Sequence, residues 1–289
     1  VRRAGYASVT PVIPLLFLLL ACAEPGASPA AQGQAQVQAP SEASESAAPA
    51  PQQRPDLYDV TVVRRYPHDT NAFTQGLFFA NGTLYESTGQ KGASRIKRLN
   101  LKTGKAVAEA ALPDEVFGEG ATVVGDRIVS LTWRAGQGFV HDLETLKRTA
   151  TFAIEGEGWG LTYDPDTDRL ILSDGTPELR FLDPETYEET GRRAVSLGGR
   201  PVADLNELEW VDGEVWANVW QQDVIVRIDP ETGIVTGLID VQPLFPANRR
   251  AEPYDDVPNG IAYEPRTGRL FLTGKRWPDI FEVTLEPRS

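Results

Sequence analysis

Cysteine is almost missing from this chain of 289 residues; the single one is Cys22. One thiol excludes an internal disulfide framework and any zinc or iron–sulfur site built on several cysteines. Histidine is nearly as scarce, with His68 and His141 at unrelated positions, which argues against a histidine-rich metal centre. Neither has a triad partner at a recognisable spacing, and no Gly-x-Ser-x-Gly elbow is present, so serine-hydrolase chemistry has no support. Methionine is absent. Positive charge is also short: 28 Lys and Arg face 41 Asp and Glu, a net charge of −13. That balance argues against nucleic acid as a partner and leaves room for a cationic ligand such as a free amine. The remaining composition, 41% hydrophobic and 24% charged, is ordinary for a globular protein. The length suggests one or two domains, although single all-β domains reach roughly 250 residues.

Long apolar runs are lacking too. Arg2 and Arg3 precede an apolar segment from Val12 to Ala21, interrupted by Pro14 and too short to span a bilayer comfortably. It ends in Leu19-Leu20-Ala21-Cys22, which looks like a bacterial lipobox, where the Cys becomes the lipidated N-terminus after cleavage. Residues 1–21 are therefore expected to be an export signal and Cys22 a lipidation site. Ala23, in place of Asp, favours the outer membrane, with the protein lipid-anchored in the cell envelope and facing the periplasm. Residues 24–55 hold 9 Ala, 6 Pro, 6 Gln and 4 Ser, with no aromatic residue and only Val37 β-branched. Such a stretch buries no core, and residues 22–55 are expected to be a disordered tether. Removal of residues 1–21 leaves 26 basic against 41 acidic residues, a net charge of −15.

From Tyr58 onward the pattern changes to short alternating strands and tight turns. One phrase recurs as Asn100-Leu101-Lys102-Thr103-Gly104, Asp142-Leu143-Glu144-Thr145-Leu146, Asp183-Pro184-Glu185-Thr186-Tyr187 and Asp229-Pro230-Glu231-Thr232-Gly233. Its Thr spacings are 42, 41 and 46, and its residues are turn formers, so each copy marks a hairpin. A strand phrase recurs five times, beginning at Thr83, Arg127, Arg169, Glu214 and Arg269, with steps of 44, 42, 45 and 55. Five copies of about 45 residues, each holding four strand-sized pieces, describe an all-β fold, a five-bladed β-propeller over residues 56–289. In one copy the strands are expected at 205–212, 214–220, 223–229 and 234–241. The last copy ends at its third strand, Ile280 to Leu285. The unassigned segment Tyr58 to Val63 is expected to complete that last blade and so remove an exposed edge. A β-sandwich with extra strands would not explain the fivefold phrase.

In a propeller the first strand of each blade is innermost, and its start shares a face with the end of the second strand. The first-strand starts read Gln75, Glu119, Trp159, Asn206 and Asn259, four of them followed by Gly, which permits close backbone approach. The second-strand ends lie near Thr88, Trp133, Asp174, Trp220 and Lys275. Taken singly, each has a plain structural reading: a tryptophan is more often core, and a glutamate near a channel is more often a solvated rim charge. Together they describe an apolar-walled pocket with a few polar groups. Glu119, between Gly118 and Gly120, is the acid expected to be desolvated, which would raise its proton affinity toward the range useful in acid–base catalysis. Asp164, Asp183 and Asp229 read as turn residues, and Glu185, Glu188, Glu189 and Glu231 as solvated hairpin charges.

These phrases carry a resemblance. Tyr66-Pro67-His68-Asp69, Ala72-Phe73-Thr74-Gln75-Gly76-Leu77, Phe117-Gly118-Glu119-Gly120, Gly158-Trp159-Gly160-Leu161, Leu205-Asn206-Glu207-Leu208-Glu209 and Thr273-Gly274-Lys275-Arg276-Trp277-Pro278 stand in sequence over residues 58–285. In order and spacing they resemble the plant and bacterial type of glutaminyl-peptide cyclotransferase, a five-bladed propeller family. The resemblance implies conversion of the N-terminal glutamine of peptides or proteins to pyroglutamate with release of ammonia. It implies Glu119 as catalytic acid/base and Phe73, Gln75, Phe117, Trp133, Trp159, Asn206, Trp220 and Lys275 as pocket residues. Within that set Lys275, or an amide or indole N–H, is expected to steady the oxyanion. The animal type of this activity is a zinc enzyme whose His and acid pattern this chain lacks, so a metal-independent reaction without a cofactor is expected; a structural calcium in the channel stays open. Two rival readings remain at this point: a metal-dependent, lactonase-like propeller hydrolase using Glu119, Asn206 and Asn259 as oxygen ligands, and a non-catalytic propeller that binds peptides. A closed ring has no free edge, so a monomer is the default.

Overall fold

The computed structural model describes residues 54–288, so the expected export signal, Cys22 and nearly all of the expected tether lie outside the described residues. The first strand is β1, Asp56–Pro67. Four meanders follow: β2 Thr74–Ala80, β3 Thr83–Thr88, β4 Arg95–Asn100 and β5 Lys105–Ala111; β6 Gly118–Val124, β7 Arg127–Thr132, β8 Gln137–Asp142 and β9 Arg148–Ala153; β10 Leu161–Asp164, β11 Arg169–Leu172, β12 Glu178–Leu182 and β13 Glu189–Ala194; then, after the two-residue strands β14 Ser196–Leu197 and β15 Arg200–Pro201, β16 Leu205–Val211, β17 Glu214–Val219, β18 Val224–Ile228 and β19 Val235–Asp240. A 3-10 turn, Ala247–Arg249, leads to β20 Pro258–Glu264, β21 Arg269–Gly274 and β22 Asp279–Pro287. The fold is all-β and propeller-like.

The hairpin chemistry is that of the repeated phrase. Asn100 Oδ1 accepts from the Lys102 N–H at 3.0 Å, Asp142 Oδ1 from Thr145 at 2.8 Å, Asp183 Oδ1 from Thr186 at 2.7 Å and Asp229 Oδ1 from Glu231 at 2.8 Å. These side chains close the turn between the third and fourth strand of each meander, as their types favour. The fifth position of the phrase has φ between 57° and 71° in all four copies, at Gly104, Leu146, Tyr187 and Gly233.

The last three strands lack a fourth of their own, and β1 supplies it, running antiparallel to β22 from Tyr58 opposite Pro287 to Pro67 opposite Asp279. Its first four residues also pair in parallel with β19, from Asp56 opposite Gly237 to Asp59 opposite Asp240. That second pairing joins two meanders into one eight-stranded sheet, which the repeat pattern had no means of signalling.

Burial follows the radius. The inner strands β2, β6, β16 and β20 share one pattern, buried at all but the sixth position, while the outer strands β5, β9 and β13 are largely exposed. Among the described residues, five apolar cores lie between neighbouring groups of strands. Phe78 and Ile96 meet Ile128 and Phe139; Val129 and Leu131 meet Leu170 and Leu172; Ile171 and Leu179 meet Leu208 and Val215; Trp216 and Val211 meet Leu270 and Phe281; Phe271 and Ile280 meet Leu77 and Leu84. The order is cyclic, since the last core returns to the first meander.

At the centre the inner strands approach so closely that side chains are excluded. A Cβ on Gly76 would lie 2.7 Å from the Ala121 nitrogen, one on Gly120 2.6 Å from the Leu161 nitrogen, and one on Gly160 would collide with the Asn206 carbonyl oxygen. Gly160→Ala is expected to cost about 1–3 kcal/mol through this overpacking. Gly191→Ala on outer strand β13, where the new Cβ would meet only Phe181 at an ordinary 3.7 Å, should stay within about 0.5 kcal/mol. Chemical denaturation of the two variants beside the parent checks the difference.

Candidate active site

Three of the cavity side chains are turned inward at breaks in strand register. The β2–β3 ladder shifts between Thr74 and Gly76, the β6–β7 ladder between Gly118 and Ala121, β16–β17 between Leu205 and Leu208, and β20–β21 between Pro258 and Ile261. A bulge adds a residue to one strand and re-aims its side chain. Gln75, Glu119 and Asn206 occupy three of these bulges. Trp159 precedes β10, held by its own N–H to the Ser173 carbonyl at 2.9 Å. From the second strands, Trp220 and Lys275 are set by left-handed backbone at the residues that follow them, Gln221 with φ 66° and Arg276 with φ 57°.

All nine site residues expected from the sequence line one cavity of about 270 Å³: Phe73, Gln75, Phe117, Glu119, Trp133, Trp159, Asn206, Trp220 and Lys275. Gln90 and Asp255 line it as well and were not foreseen. Asn259 lies behind the wall. Its Nδ2 donates to Gln75 Oε1 at 2.8 Å and to the Thr74 carbonyl at 2.9 Å, so it sets the Gln75 amide without facing the cavity. The aromatic walls pack edge-on in two runs: Phe73 to Phe117 at 5.9 Å and Phe117 to Trp133 at 5.8 Å, and Trp159 to Trp220 at 5.8 Å.

Two charged groups sit inside these walls. Glu119 is 5% exposed, and its carboxylate receives no hydrogen bond from any described residue. Burial pushes its proton affinity well above the usual carboxyl range, against the pull of the Lys275 charge, and the Glu157 charge adds to the rise. Lys275 is also 5% exposed, with Nζ 4.9 Å from the Phe73 ring centre. Burial brings its ammonium down to about 8, opposed by the Glu119 and Asp255 charges. No described ion pair within 4.0 Å joins Glu119 to Lys275. Both groups are thus drawn toward neutrality, the Glu119 carboxyl upward and the Lys275 ammonium downward.

Glu157 organises the wall and was not recognised in the sequence. Its Oε2 accepts from the Trp133 indole at 2.6 Å and from the Trp159 indole at 2.9 Å, while Oε1 accepts from Arg134 Nε at 2.6 Å. Arg134 in turn lies 3.9 Å over the Trp133 ring. These bonds occupy the indole N–H groups of Trp133 and Trp159. The signal was half visible, because Glu157 is two residues from Trp159, but Trp133 is 24 residues away.

His68 belongs to a separate buried cluster. Its Nε2 lies 2.9 Å from Glu86 Oε1 and its Nδ1 2.8 Å from the Trp277 carbonyl, in a buried cluster with Thr74 and Lys97. Burial would push the Glu86 carboxyl up, yet the His68 and Lys97 charges hold it at about 2. The cluster lies outside the Glu119 cavity and ties the chain beside Gln75 to the chain beside Lys275. Among the described residues, no group of three or more His, Cys, Asp or Glu side chains could hold a metal ion.

Glu157→Ala is expected to release both indoles, giving red-shifted tryptophan emission, stronger acrylamide quenching and a stability loss of about 1 kcal/mol, the half-exposed carboxylate being screened. Glu157→Gln keeps an acceptor for the indoles and should restore most of the parent emission. Unchanged emission in Glu157→Ala would show that the indoles do not depend on this carboxylate.

A family model described as glutamine cyclotransferase matches residues 34–285. The glutaminyl-peptide cyclotransferase of Arabidopsis thaliana is 41% identical over 236 residues, covering 81% of this chain and 73% of that protein. The crystal structure of Myxococcus xanthus glutaminyl cyclase matches with a TM-score of 0.77 at 39% identity, covering 82% of this chain and 100% of that one. On the extent of these matches, the chain belongs to the glutamine cyclotransferase family.

Proposed function

We propose that this protein is a glutaminyl-peptide cyclotransferase, converting the N-terminal glutamine of peptides or proteins to pyroglutamate. The observation that carries the reading is the placement of Glu119 and Lys275, both buried and both drawn toward neutrality, in one aromatic-walled cavity of about 270 Å³. That volume lies just below the range for drug-sized ligands and suits a single residue.

The reaction makes one bond and breaks one. The substrate's α-amino nitrogen attacks the carbonyl carbon of its own side-chain amide, and the carbon–nitrogen bond of that amide breaks to release ammonia. Glu119, as carboxylate, takes a proton from the substrate's ammonium, gives it to the departing nitrogen, and then accepts the second proton shed by the newly bonded nitrogen, which passes to solvent. Its raised proton affinity makes it a stronger base than an ordinary carboxylate and a competent acid afterwards. Lys275 supplies positive charge to the tetrahedral oxyanion in a site shielded from water, where such charge acts most strongly. The amides of Gln75 and Asn206 line the same space, and the aromatic walls hold the glutamine side chain bent so that its two ends meet. Proton transfer and charge stabilisation both come from side chains in this scheme, without a metal.

We infer the finer architecture and location in the same spirit. The five cores in cyclic order, with β1 added to the last three strands, support a five-bladed propeller closed by its N-terminal strand. The lipobox-like sequence at Cys22 supports lipid anchoring in a bacterial envelope; labelled palmitate should enter the parent in its native host and not Cys22→Ser.

The catalytic assignment is tested by ammonia release from a glutamine-initiated dipeptide. Glu119→Gln should lower kcat roughly 10²–10⁴-fold with the fold intact. The rate should fall as pH rises through about 8, where the Lys275 cation is lost. Lys275→Arg, which stays charged, should move that alkaline limb upward with reduced kcat, and exhaustive chelation should leave the parent rate unchanged. Near-parent turnover by Glu119→Gln would sink the acid–base role.

A further inference from the structure

The repeat lengthens once. The last step between strand phrases is 55 residues against 42 to 45 elsewhere, and the extra residues fall in the segment 241–257, between β19 and β20. Its base is built in. Arg250 donates to Asp223 Oδ1 at 2.5 Å and to the Phe245 carbonyl at 2.9 Å. Phe245 packs edge-on to Trp277 at 5.4 Å, the Trp277 indole donates to the Asp256 carbonyl at 2.8 Å, and Arg276 Nε donates to Asp256 Oδ1 at 2.6 Å. The insertion thus grips the chain that carries Lys275.

Its tip reaches the mouth of the cavity. Asp255 lines the cavity, and the neighbouring Tyr254 is 65% exposed. The Tyr254 ring stands edge-on to Trp220 at 5.8 Å and 75°, and Gln221 Nε2 donates to the Tyr254 carbonyl at 2.5 Å. Of the exposed large apolar side chains described, Leu57, Val62 and Val63 are on β1, Val107 is on β5 and Ile234 is at the β18–β19 turn. Tyr254 alone among them abuts a cavity residue. An aromatic ring held at the lip of a cavity, and left open to solvent there, offers a surface to whatever emerges.

What emerges follows from the size of the cavity. A space that suits one residue holds the glutamine, and the rest of the peptide must leave through the opening, with its second residue about 3.5 Å further along the chain. We propose that Tyr254 and Trp220 form a subsite for the side chain of the substrate's second residue, selecting aromatic side chains there. The proposal rests on the cyclase reading and adds a specificity determinant to it. Edge-to-face aromatic pairing favours such a side chain by roughly 3- to 10-fold over none.

The experiment measures kcat/KM of the full chain for Gln-Phe, Gln-Gly and glutamine amide, the last having no second residue. The parent should prefer Gln-Phe over Gln-Gly by roughly 3- to 10-fold, mainly through KM. In Tyr254→Ala the preference should fall toward one, and Tyr254→Phe should retain it. A flat preference in the parent overturns the subsite while turnover of all three substrates upholds the cyclase reading. Equal loss on Gln-Phe and Gln-Gly in Tyr254→Ala also overturns it. Absence of turnover with every glutamine substrate overturns the cyclase reading and the subsite with it.

Discussion

The close approach of inner strands at the centre is the constraint on which the rest of this structure depends. Backbones that meet within van der Waals distance at Gly76, Gly120 and Gly160 leave no room for side chains on that side. The fourth inner strand resolves the crowding differently. Where the others have glycine, it has Glu207, whose carboxylate accepts from the Leu77 N–H at 3.1 Å and the Ile261 N–H at 2.9 Å. One side chain on β16 therefore binds the inner strands β2 and β20. Two residues on, Glu209 accepts from the Tyr263 N–H at 2.8 Å, and Asn218 Oδ1 accepts from Gly260 at 3.0 Å. Burial raises the proton affinity of both carboxyls, with Glu209 adding to the rise at Glu207. These acceptors satisfy N–H groups on the inner edges of the strands, which would otherwise be buried and unpaired, a loss of about 1–3 kcal/mol each.

The same constraint makes the site. Bulges fall where the strands converge, and those at Gln75, Glu119 and Asn206 turn a side chain out of the ladder toward the cavity. Structural crowding and functional convergence therefore fall on adjacent residues, as in Gln75-Gly76, Glu119-Gly120 and Trp159-Gly160. This adjacency is why the candidate site was legible. The phrases repeat at fixed spacing because the packing repeats, and the residue before the glycine varies because the cavity needs a different group from each strand. Strand positions were legible for a related reason. The Asx turns at Asn100, Asp142, Asp183 and Asp229 act within five residues, so their chemistry is local.

What could not be read depends on contacts without local pattern. Glu157 bonds to Trp133 across 24 residues, His68 meets Glu86 across 18, and Asn259 reaches Gln75 across 184. In each case the pairing leaves no local mark, since a carboxylate or amide beside a turn looks the same whether solvated or buried. The parallel pairing of β1 with β19 is hidden for the same reason, because Asp56–Asp59 satisfy their edge against a strand from another meander. Asp255 was missed because it stands on the one insertion that breaks the repeat, where equivalence between copies gives no guidance.

The electrostatics of the cavity turn on separation. Were Glu119 and Lys275 in direct contact, each would stabilise the other's charge, lowering the proton affinity of the carboxyl and raising that of the ammonium. Both would then be poor partners for proton exchange near neutrality. Held apart beyond 4.0 Å inside an aromatic wall, burial outweighs their mutual attraction, and each moves toward its neutral form. The substrate alters this balance when it enters. Its ammonium brings positive charge to the buried carboxylate, which favours the ionised form of Glu119 while the proton is still on the amine. Transfer of that proton removes the charge pair and leaves a neutral acid, an uncharged nucleophile and the Lys275 cation. The aromatic wall held by Glu157 keeps water from screening this exchange. The exterior acidity of the chain, −13 overall, acts in the same direction at longer range by drawing cationic N-termini toward the protein.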